Sequence, residues 1–447
     1  MKILLISPNT LTVPYPVYPI GLDYVAGALT EHHEVEIADL NILERNALEQ
    51  LLENFSPELI GISIRNIDNT EAGNPLYFIS EHKKLVDWLR SRSRAPIVGG
   101  GAGFTILPEE IFTALGLDYG IVGEGERFNQ LADALQNRRP PADIPGLISS
   151  ETQASPPQPW TGSQQRQTQE NGHLQFYIDH GGMLNLQTKR GCSFRCIYCP
   201  YPHIEGKKHR LVAPDRVARM ALRLQENGAR YIFITDSAFN SDISHSLEVA
   251  EAFRQQGLSI PWGGFFAPIR HPDGYFETMK KCGLKHVEFG TEALSRSMLK
   301  SYRKPFTPDD VITVHRQAVE AGLHVAHYFL LGGPGESRET VNETLDNIEQ
   351  LQRAALFFFT GIRIYPHTGL HKIAIEEKKI TAATSLLEPL YYESDAISHR
   401  EIEKQVIKRK GQQINWIVGS GGDAAADTVS RMHKRGFSGP LWEFLIR

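Results

Sequence analysis

The chain has 447 residues, 41% of them hydrophobic and 22% charged, with a formal net charge of −5. That length carries two or three domains with full cores, and the charge supplies no global field that would draw the chain to nucleic acid. The opening MKILLISPN lacks a signal-peptide core, and no apolar run approaches the roughly 20 residues of a membrane span, so the composition reads as a cytoplasmic enzyme.

Residues 1–150 alternate short apolar runs with helical stretches. The runs KILLIS (2–7), EVEIAD (34–39), LIGISI (59–64), APIVGG (95–100) and DYGIVG (118–123) read as strands; GLDYVAGALTE, ERNALEQLLENF, LYFISEHKKLVDWLRS and PEEIFTAL read as helices. Near-continuous apolar strands alternating with helices predict a parallel sheet covered on both faces, a doubly wound Rossmann-like α/β domain of flavodoxin type. Ligands of such sheets lie beyond the carboxyl ends of the strands. Residues 151–172, rich in Pro, Gln, Ser and Thr, predict an exposed linker.

A second alternating series occupies 173–384. Strands fit MLNLQT (183–188), YIFITD (231–236), IPWGGFF (260–266), HVEFGT (286–291), VAHYFLL (325–331) and FFTGIRI (358–364), with helices such as APDRVARMALRLQENG between them. Six βα units predict a partial (β/α)6 TIM barrel with functional residues at the strand ends. Residues 385–447 turn charged and mostly helical and predict a small C-terminal cap.

The chemistry concentrates in TKRGCSFRCIYCPYPHIEG (188–206), directly after the first strand of this series. Of four cysteines, three lie in this segment, the pattern of a metal site in a reducing compartment rather than a disulfide scaffold. Cys192, Cys196 and Cys199 can wrap a cubane and ligate three of its irons, leaving the fourth open to a small molecule. Lys189, Arg190 and Arg195 stand ready to offset the negative charge of thiolates and sulfides. The competing reading is a structural zinc completed by His203 or His209, but no second ligand knuckle is present. Cys282, at a helix end, reads as a small buried hydrophobe.

The C-x-x-x-C-x-x-C spacing, with aromatic Tyr198 before the last cysteine, resembles the radical S-adenosylmethionine (SAM) superfamily over about residues 180–380. The resemblance implies a [4Fe–4S] cluster whose open iron is chelated by SAM, and an electron from the cluster that cleaves the sulfonium to a 5′-deoxyadenosyl radical. It also implies an electron donor such as flavodoxin or ferredoxin. Further positions match in chain order. Asp236 and Ser237 end the second strand, where the family contacts the methionine moiety, although its frequent Gly-Gly-Glu is absent. Glu292 ends the fourth, with Arg303 beyond it as a partner for the SAM carboxylate. Gly332, Gly333 and Gly335 follow the fifth strand and would admit the adenosine, and Tyr365 ends the sixth.

The N-terminal loops GISIRNIDN (61–69), VGGGAGFTILPEE (98–110) and VGEGE (122–126) all fall at carboxyl ends of strands. Together with PYPVYPIGLDYVAGAL (14–29) they resemble the cobalamin-binding domain fused ahead of many radical SAM enzymes. The resemblance assigns Arg65, Asn66, Gly99, Gly100, Gly101, Phe104, Gly123, Glu124 and Gly125 to cobalamin, with Gly103 also in the glycine-rich floor. The D-x-H-x-x-G motif that supplies a lower axial histidine is missing, and His32 and His33 read as solvated turn residues. Arg65 sits where a related tryptophan methylase of this family carries an arginine under the corrin; the competing reading is an ion pair with Asp68 or Glu71. A dinucleotide domain is disfavoured because no G-x-G-x-x-G follows the first strand, and the basic run GKKHR (206–210) is too short for an RNA track.

The resemblance implies a cobalamin-dependent radical SAM methyltransferase acting through methylcobalamin on an inert, carbon-type centre of a small-molecule or peptide substrate. The alternatives are non-methylating radical chemistry, such as cyclisation or rearrangement, and a zinc-stabilised binding or regulatory protein. A methylthiolating tRNA enzyme lacks support, since the chain has no second three-cysteine cluster and no basic tail.

Overall fold

In the computed structural model the described residues are all but 13, 30, 142, 163–165, 167–171, 420, 421 and 447, together with the side chains of 172 and 422–425. Eight of the 22 residues of the expected linker therefore lie outside the described residues. The apolar runs of the first half form β1 (Lys2–Ser7), β2 (Glu34–Asp39), β3 (Leu59–Ser63), β4 (Ile97–Gly100), β5 (Tyr119–Ile121) and β6 (Leu147–Ser149) in the order β2-β1-β3-β4-β5-β6. The first five are parallel and doubly wound as expected; β6 adds an antiparallel edge beside β5. Alternation puts Leu4, Ile6, Ile60 and Ile62 into one core cluster and Ile3, Leu5 and Leu59 into another. Both faces are thus buried, which is why these strands read as continuous apolar runs.

The second half opens with β7 (Met183–Leu186). A short antiparallel hairpin, β8 (Lys189–Arg190) with β9 (Arg210–Leu211), brackets the cysteine loop. Then come β10 (Tyr231–Ile234), β11 (Trp262–Phe266), β12 (Leu284–Glu292), β13 (His324–Leu331) and β14 (Ala354–Thr360). All pair in parallel with β7 at one edge, giving the expected partial barrel. The helices between them start cleanly. Thr307 and Asp310 form a capping box ahead of Pro308–Glu320, and Ser337 and Thr340 form one ahead of Arg338–Ile348.

Two details differ from the sequence expectation. The sixth strand runs Ala354–Thr360, not 358–364, because Gly361 at φ +82° breaks the apolar run. The following β15 (Ile362–Arg363) pairs instead with β16 (Tyr391–Tyr392). The C-terminal segment is mostly helical, yet its β17 (Trp416–Val418) adds a seventh parallel strand beside β14. No helix among the described residues is long and apolar enough to cross a membrane.

Candidate cofactor site between the domains

The strand-end loops of the first sheet and those of the barrel face one another across a cavity of about 320 Å³. Arg65, Gly99, Gly100, Gly101, Gly123, Glu124 and Gly125 line it from one side; Asn185, Gln187, Arg190, Tyr201 and Thr235 line it from the other. Asn66 instead borders an adjoining cavity of about 210 Å³, which shares Arg65 and Ser63 with the first. Phe104 is fully buried and packs on Gly99 and Gly120, so it belongs to the core and not to the cavity wall.

Two of these glycines also serve the fold itself. Gly101 has φ +103°, and a Cβ there would lie 2.7 Å from the Ile64 carbonyl oxygen. At Gly103 a Cβ would lie 2.9 Å from the Arg65 oxygen. Both residues let the loop after β4 close on the loop after β3. The bare backbone that a macrocycle would meet is a by-product of that closure.

Arg65 makes no ion pair with Asp68 or Glu71. Asp68 is taken by Arg363, at 2.9 Å, with both side chains buried. Burial lowers the Arg65 pKa from its ordinary value, with only the phenols of Tyr201 and Tyr177 opposing the shift. The carboxylates that line the cavity with it, Glu124, Glu126 and Glu205, are bonded to other groups, so Arg65 forms no ion pair there. His33 is buried and pairs with Asp133 at 3.3 Å, so it is not the solvated histidine expected; His32 is exposed. Among the described residues no histidine lines the larger cavity, and His82 borders the adjoining one.

Glu124 does more than line the wall. Its two carboxylate oxygens accept from Arg190 and Arg210, and Arg190 also binds Glu126 at 2.6 Å. Arg190 precedes the cysteine loop and stacks over the Tyr24 ring at 4.9 Å. Three further buried links join the halves besides this one. These are Asp68–Arg363, Asp23–Arg166 at 2.6 Å, and the Tyr177 hydroxyl donating to Asp39 at 2.5 Å. Breaking one partner of such a buried pair costs about 3–5 kcal/mol, because the other charge is stranded.

The cysteine loop is held at both ends. Asp236 accepts from the Thr188 amide at 2.8 Å and hydroxyl at 2.5 Å, and from the Lys189 ammonium at 2.9 Å. It is fully engaged and 1% exposed, so the structure gives it an anchoring place instead of a contact with methionine. Gly191 has φ +88°, and a Cβ would lie 2.2 Å from the Lys208 oxygen; the next residue, Cys192, donates its amide to Gly206. The Ile197 amide bonds Tyr302 and the Ile197 carbonyl accepts from Leu370, which fixes the far end.

Cys192, Cys196 and Cys199 are all free thiols. Burial pushes the Cys199 thiol up to about 12 and also raises Cys192. Thiolates there require a compensating cation, which cluster irons supply. The three residues fit such a group. Among the described residues no three His, Cys, Asp or Glu side chains converge on a single ion. His203 stacks on His367 at 4.3 Å and His209 meets Ser241 at 3.2 Å, so neither completes a zinc set. Cys282 is buried and lies 3.6 Å from Glu251, outside the loop as expected.

Of the cations expected to serve the thiols, Lys189 and Arg190 are spent on carboxylates, and Arg195 is exposed. The residue that takes their place is Lys304, which sequence reading passed over in favour of its neighbour Arg303. Lys304 is buried, bonds Glu292 at 2.9 Å and lies 5.4 Å from the Tyr198 ring centre. Burial lowers its pKa, but the charges of Glu292, Cys196 and Cys199 outweigh that and hold it protonated. Tyr198 donates to the same Glu292 oxygen at 2.8 Å. Glu292 has φ +65°, a strained conformation for a non-glycine residue at a strand end. Arg303 is exposed and makes no such contact.

Other expected SAM positions divide. The Ser237 hydroxyl is buried with no partner among the described residues, which fits a polar ligand placed against it. Gly333 leaves room for Tyr302 and donates its amide to that hydroxyl at 3.2 Å. Gly332 donates to Glu336, and Gly335 takes φ +85°; the loop serves its own turn first. Tyr365 lies under the Arg363 guanidinium at 5.0 Å, and burial raises its pKa, with Asp68 and Cys199 among the charges that add to it.

A barrel with a three-cysteine loop behind a corrin-type sheet defines the class. Residues 186–348 match the radical SAM superfamily, and residues 6–132 match the B12 binding domain. It is 27% identical over 423 residues to an uncharacterised methyltransferase of Pyrococcus horikoshii, covering 89% of this chain and 90% of that one. It is 24% identical over 449 residues to tryptophan 2-C-methyltransferase of Streptomyces laurentii, covering 83% and 74%. In fold it is similar to the radical SAM methyltransferase TsrM from Kitasatospora setae, solved with cobalamin and a [4Fe–4S] cluster bound. The TM-score there is 0.86 at 21% identity, over 99% of this chain and 97% of that one.

Proposed function

We propose that the chain is a cobalamin-dependent radical SAM methyltransferase acting on a carbon centre. One observation carries the reading: the cavity of the B12 binding domain is also lined by residues on either side of the cysteine loop, Gln187 and Arg190 before it and Tyr201, Ile204 and Glu205 after it, and Arg190 binds Glu124 and Glu126 of that domain. The relatives add to it, since the two with named activities or cofactors are a tryptophan 2-C-methyltransferase and a methyltransferase holding cobalamin and a [4Fe–4S] cluster. When bound, these groups supply a methyl carrier and a SAM-cleaving reductant.

The chain's own residues position them. Cys192, Cys196 and Cys199 hold the cluster, and Ser237, Tyr198, Glu292 and Tyr365 surround SAM. The loops at Arg65, Gly99–Gly101 and Gly123–Gly125 hold the corrin. Arg65, which lines the cavity and forms no ion pair, would lend the corrin site a positive charge. The free thiols suit a reducing cytoplasmic compartment, and an electron-donor protein such as flavodoxin or ferredoxin is the expected partner.

The test is one anaerobic incubation of reconstituted protein with deuteromethyl SAM and candidate acceptors, separated by chromatography. S-adenosylhomocysteine should form together with a labelled product. 5′-Deoxyadenosine equal in amount to product marks radical transfer to an sp³ carbon, and its near absence marks polar transfer to a nucleophilic carbon. Formation of 5′-deoxyadenosine without S-adenosylhomocysteine or label would refute methyl transfer and leave non-methylating radical chemistry.

A further inference from the structure

β12 does not end as a regular strand. Its register against β13 pairs Gly290 with Tyr328 and then Glu292 with Phe329, so Thr291 is an extra residue, a bulge. Without the bulge Thr291 would pair with Phe329 and Glu292 with Leu330. The Ala293 amide then bonds back to the Thr291 carbonyl at 2.8 Å, which puts Glu292, at φ +65°, at the centre of a three-residue turn. Such a turn with positive φ is rare and strained. A strained residue persists only where its surroundings over-determine it.

What holds it is a chain of buried hydrogen bonds. The Thr291 hydroxyl meets His327 Nδ1 at 2.7 Å, His327 Nε2 meets His315 Nδ1 at 3.1 Å, and His315 Nε2 meets the Gln352 carbonyl oxygen at 3.0 Å. Burial pushes His315 down to about 4 and holds His327 well below its ordinary value, so both rings are neutral. The direction of every bond then follows from one end. A carbonyl oxygen only accepts, so the His315 proton sits on Nε2 and its Nδ1 accepts. His327 therefore carries its own proton on Nε2, and its Nδ1 accepts from the Thr291 hydroxyl. Neither ring can flip or change tautomer without losing two bonds.

The turn delivers Glu292 to the cysteine loop. Its carboxylate accepts from the Tyr198 hydroxyl at 2.8 Å and the Lys304 ammonium at 2.9 Å. Tyr198 stands between Cys196 and Cys199 in the chain, and Lys304 carries the positive charge that those two thiols feel. The histidine chain itself touches none of these groups. It reaches them only through the backbone of Thr291 and Glu292.

We propose that Thr291, His327 and His315 are positioning residues for the cluster site: the neutral histidine chain locks the Thr291 bulge, and the bulge aims Glu292 at Tyr198 and Lys304. The presence of a cluster rests on the radical SAM reading; the bulge and its hydrogen bonds do not. Loosening the bulge draws a carboxylate away from the thiols and leaves Lys304 less neutralised. Less negative charge beside a cluster favours its reduced state, which carries the extra electron.

The experiment is a redox titration of the full chain reconstituted with its cluster, followed by paramagnetic resonance of the reduced state, without SAM or acceptor. Thr291→Val keeps the side-chain shape and removes the hydroxyl. At the wild-type midpoint its ratio of reduced to oxidised cluster should rise about threefold. Thr291→Ser, which restores the hydroxyl, should return to the wild-type ratio. In a Glu292→Gln background Thr291→Val should add no further shift, because no charge is left to misplace. A wild-type ratio in Thr291→Val, an equal rise in Thr291→Ser, or a rise undiminished by Glu292→Gln would overturn the assignment. Where Thr291→Val gives no folded protein, His315→Leu, two hydrogen bonds from the bulge, should move the ratio the same way by less, and a wild-type ratio there would overturn it too. A wild-type chain that loads no cluster would instead refute the radical SAM reading, and S-adenosylhomocysteine formation tests methyl transfer separately.

Discussion

Two inward-facing surfaces meet at Asn185 and Thr235, and they are built from opposite materials. The cofactor cavity is floored by backbone at Gly99–Gly101 and Gly123–Gly125 and framed by buried ion pairs. The barrel lumen is walled by ring after ring, from Phe233 through Phe265 to Tyr328 and Phe357. Backbone cannot be varied by substitution without moving the loop, so a glycine floor suits a large ligand that does not change. Side chains can be exchanged one at a time, so the aromatic wall can change ring by ring. One surface is built for constancy and the other for choice.

The sharpest way to separate them is to remove what lies between. Cys196→Ala should abolish nearly all cluster iron, because three thiolates are the minimum that holds the cubane. Cobalamin uptake should persist, since the glycine floor and its ion pairs are untouched. Cys282→Ala should keep its iron. Iron and sulfide analysis beside the corrinoid spectrum reads both at once, and full iron in Cys196→Ala would refute the ligand assignment.

A smaller effect follows from loosening the frame. Arg190→Gln leaves Glu124 and Glu126 buried with less than their positive charge, at a cost of about 3–5 kcal/mol. The variant should melt earlier and retain less cobalamin on equilibrium dialysis. Adding Glu124→Gln should recover part of the loss, which a purely steric defect at position 190 would not allow. Intact cobalamin retention in the single variant would show that the frame and the floor are independent.

The smallest effect concerns the lumen alone. Burial raises the Glu288 carboxyl to about 7. Around it stand Tyr15, Tyr231 and Tyr328, whose phenols burial pushes above the ordinary value. The neighbouring Glu443 is held near 2 despite burial, chiefly by its hydrogen bond from His286. A carboxyl whose folded pKa is raised binds its proton more tightly in the native state, so its contribution to stability falls as pH rises from about 5 to 7 and is flat above. The melting temperature of wild type minus that of Glu288→Gln should therefore decline over that window by on the order of a few degrees. A difference that stays level from pH 5 to 8 would remove Glu288 as a titrating group.

Much of this was legible from residues alone, and the exceptions have physical causes. Lys2–Ser7 matches its apolar run to the residue, because a strand buried on both faces leaves an uninterrupted signal, and the edge strand Glu34–Asp39 matches through its alternation of exposed and half-buried residues. Ala354–Thr360 was misplaced by four residues, since apolar character continues through Gly361 into the next hairpin and only the positive φ marks the break. Trp416–Val418 is too short, between charged helices, to announce itself. Cysteine spacing disclosed the metal loop. Charge did not disclose its partner: Asp236 and Lys189 are 47 residues apart, and a carboxylate at a strand end carries no sign of whether it faces ligand or lysine. Arg303 and Lys304 part for a related reason, because a one-residue step on a tight turn with φ +56° leaves Arg303 exposed and brings Lys304 to Glu292.

The buried ion pairs between the halves share a polarity. Asp23, Asp68, Glu124 and Glu126 all precede residue 150, while Arg166, Arg190, Arg210 and Arg363 all follow it. The two halves are therefore lock and key in sign as well as in shape. A corrin domain borrowed from another protein would bring its own acids to places where these arginines do not wait, and the arginines left behind would be stranded without counter-charges. Exchange of modules in such a chain has to carry both members of each pair, so the boundary between the domains is a seam that can be recut only along its charges.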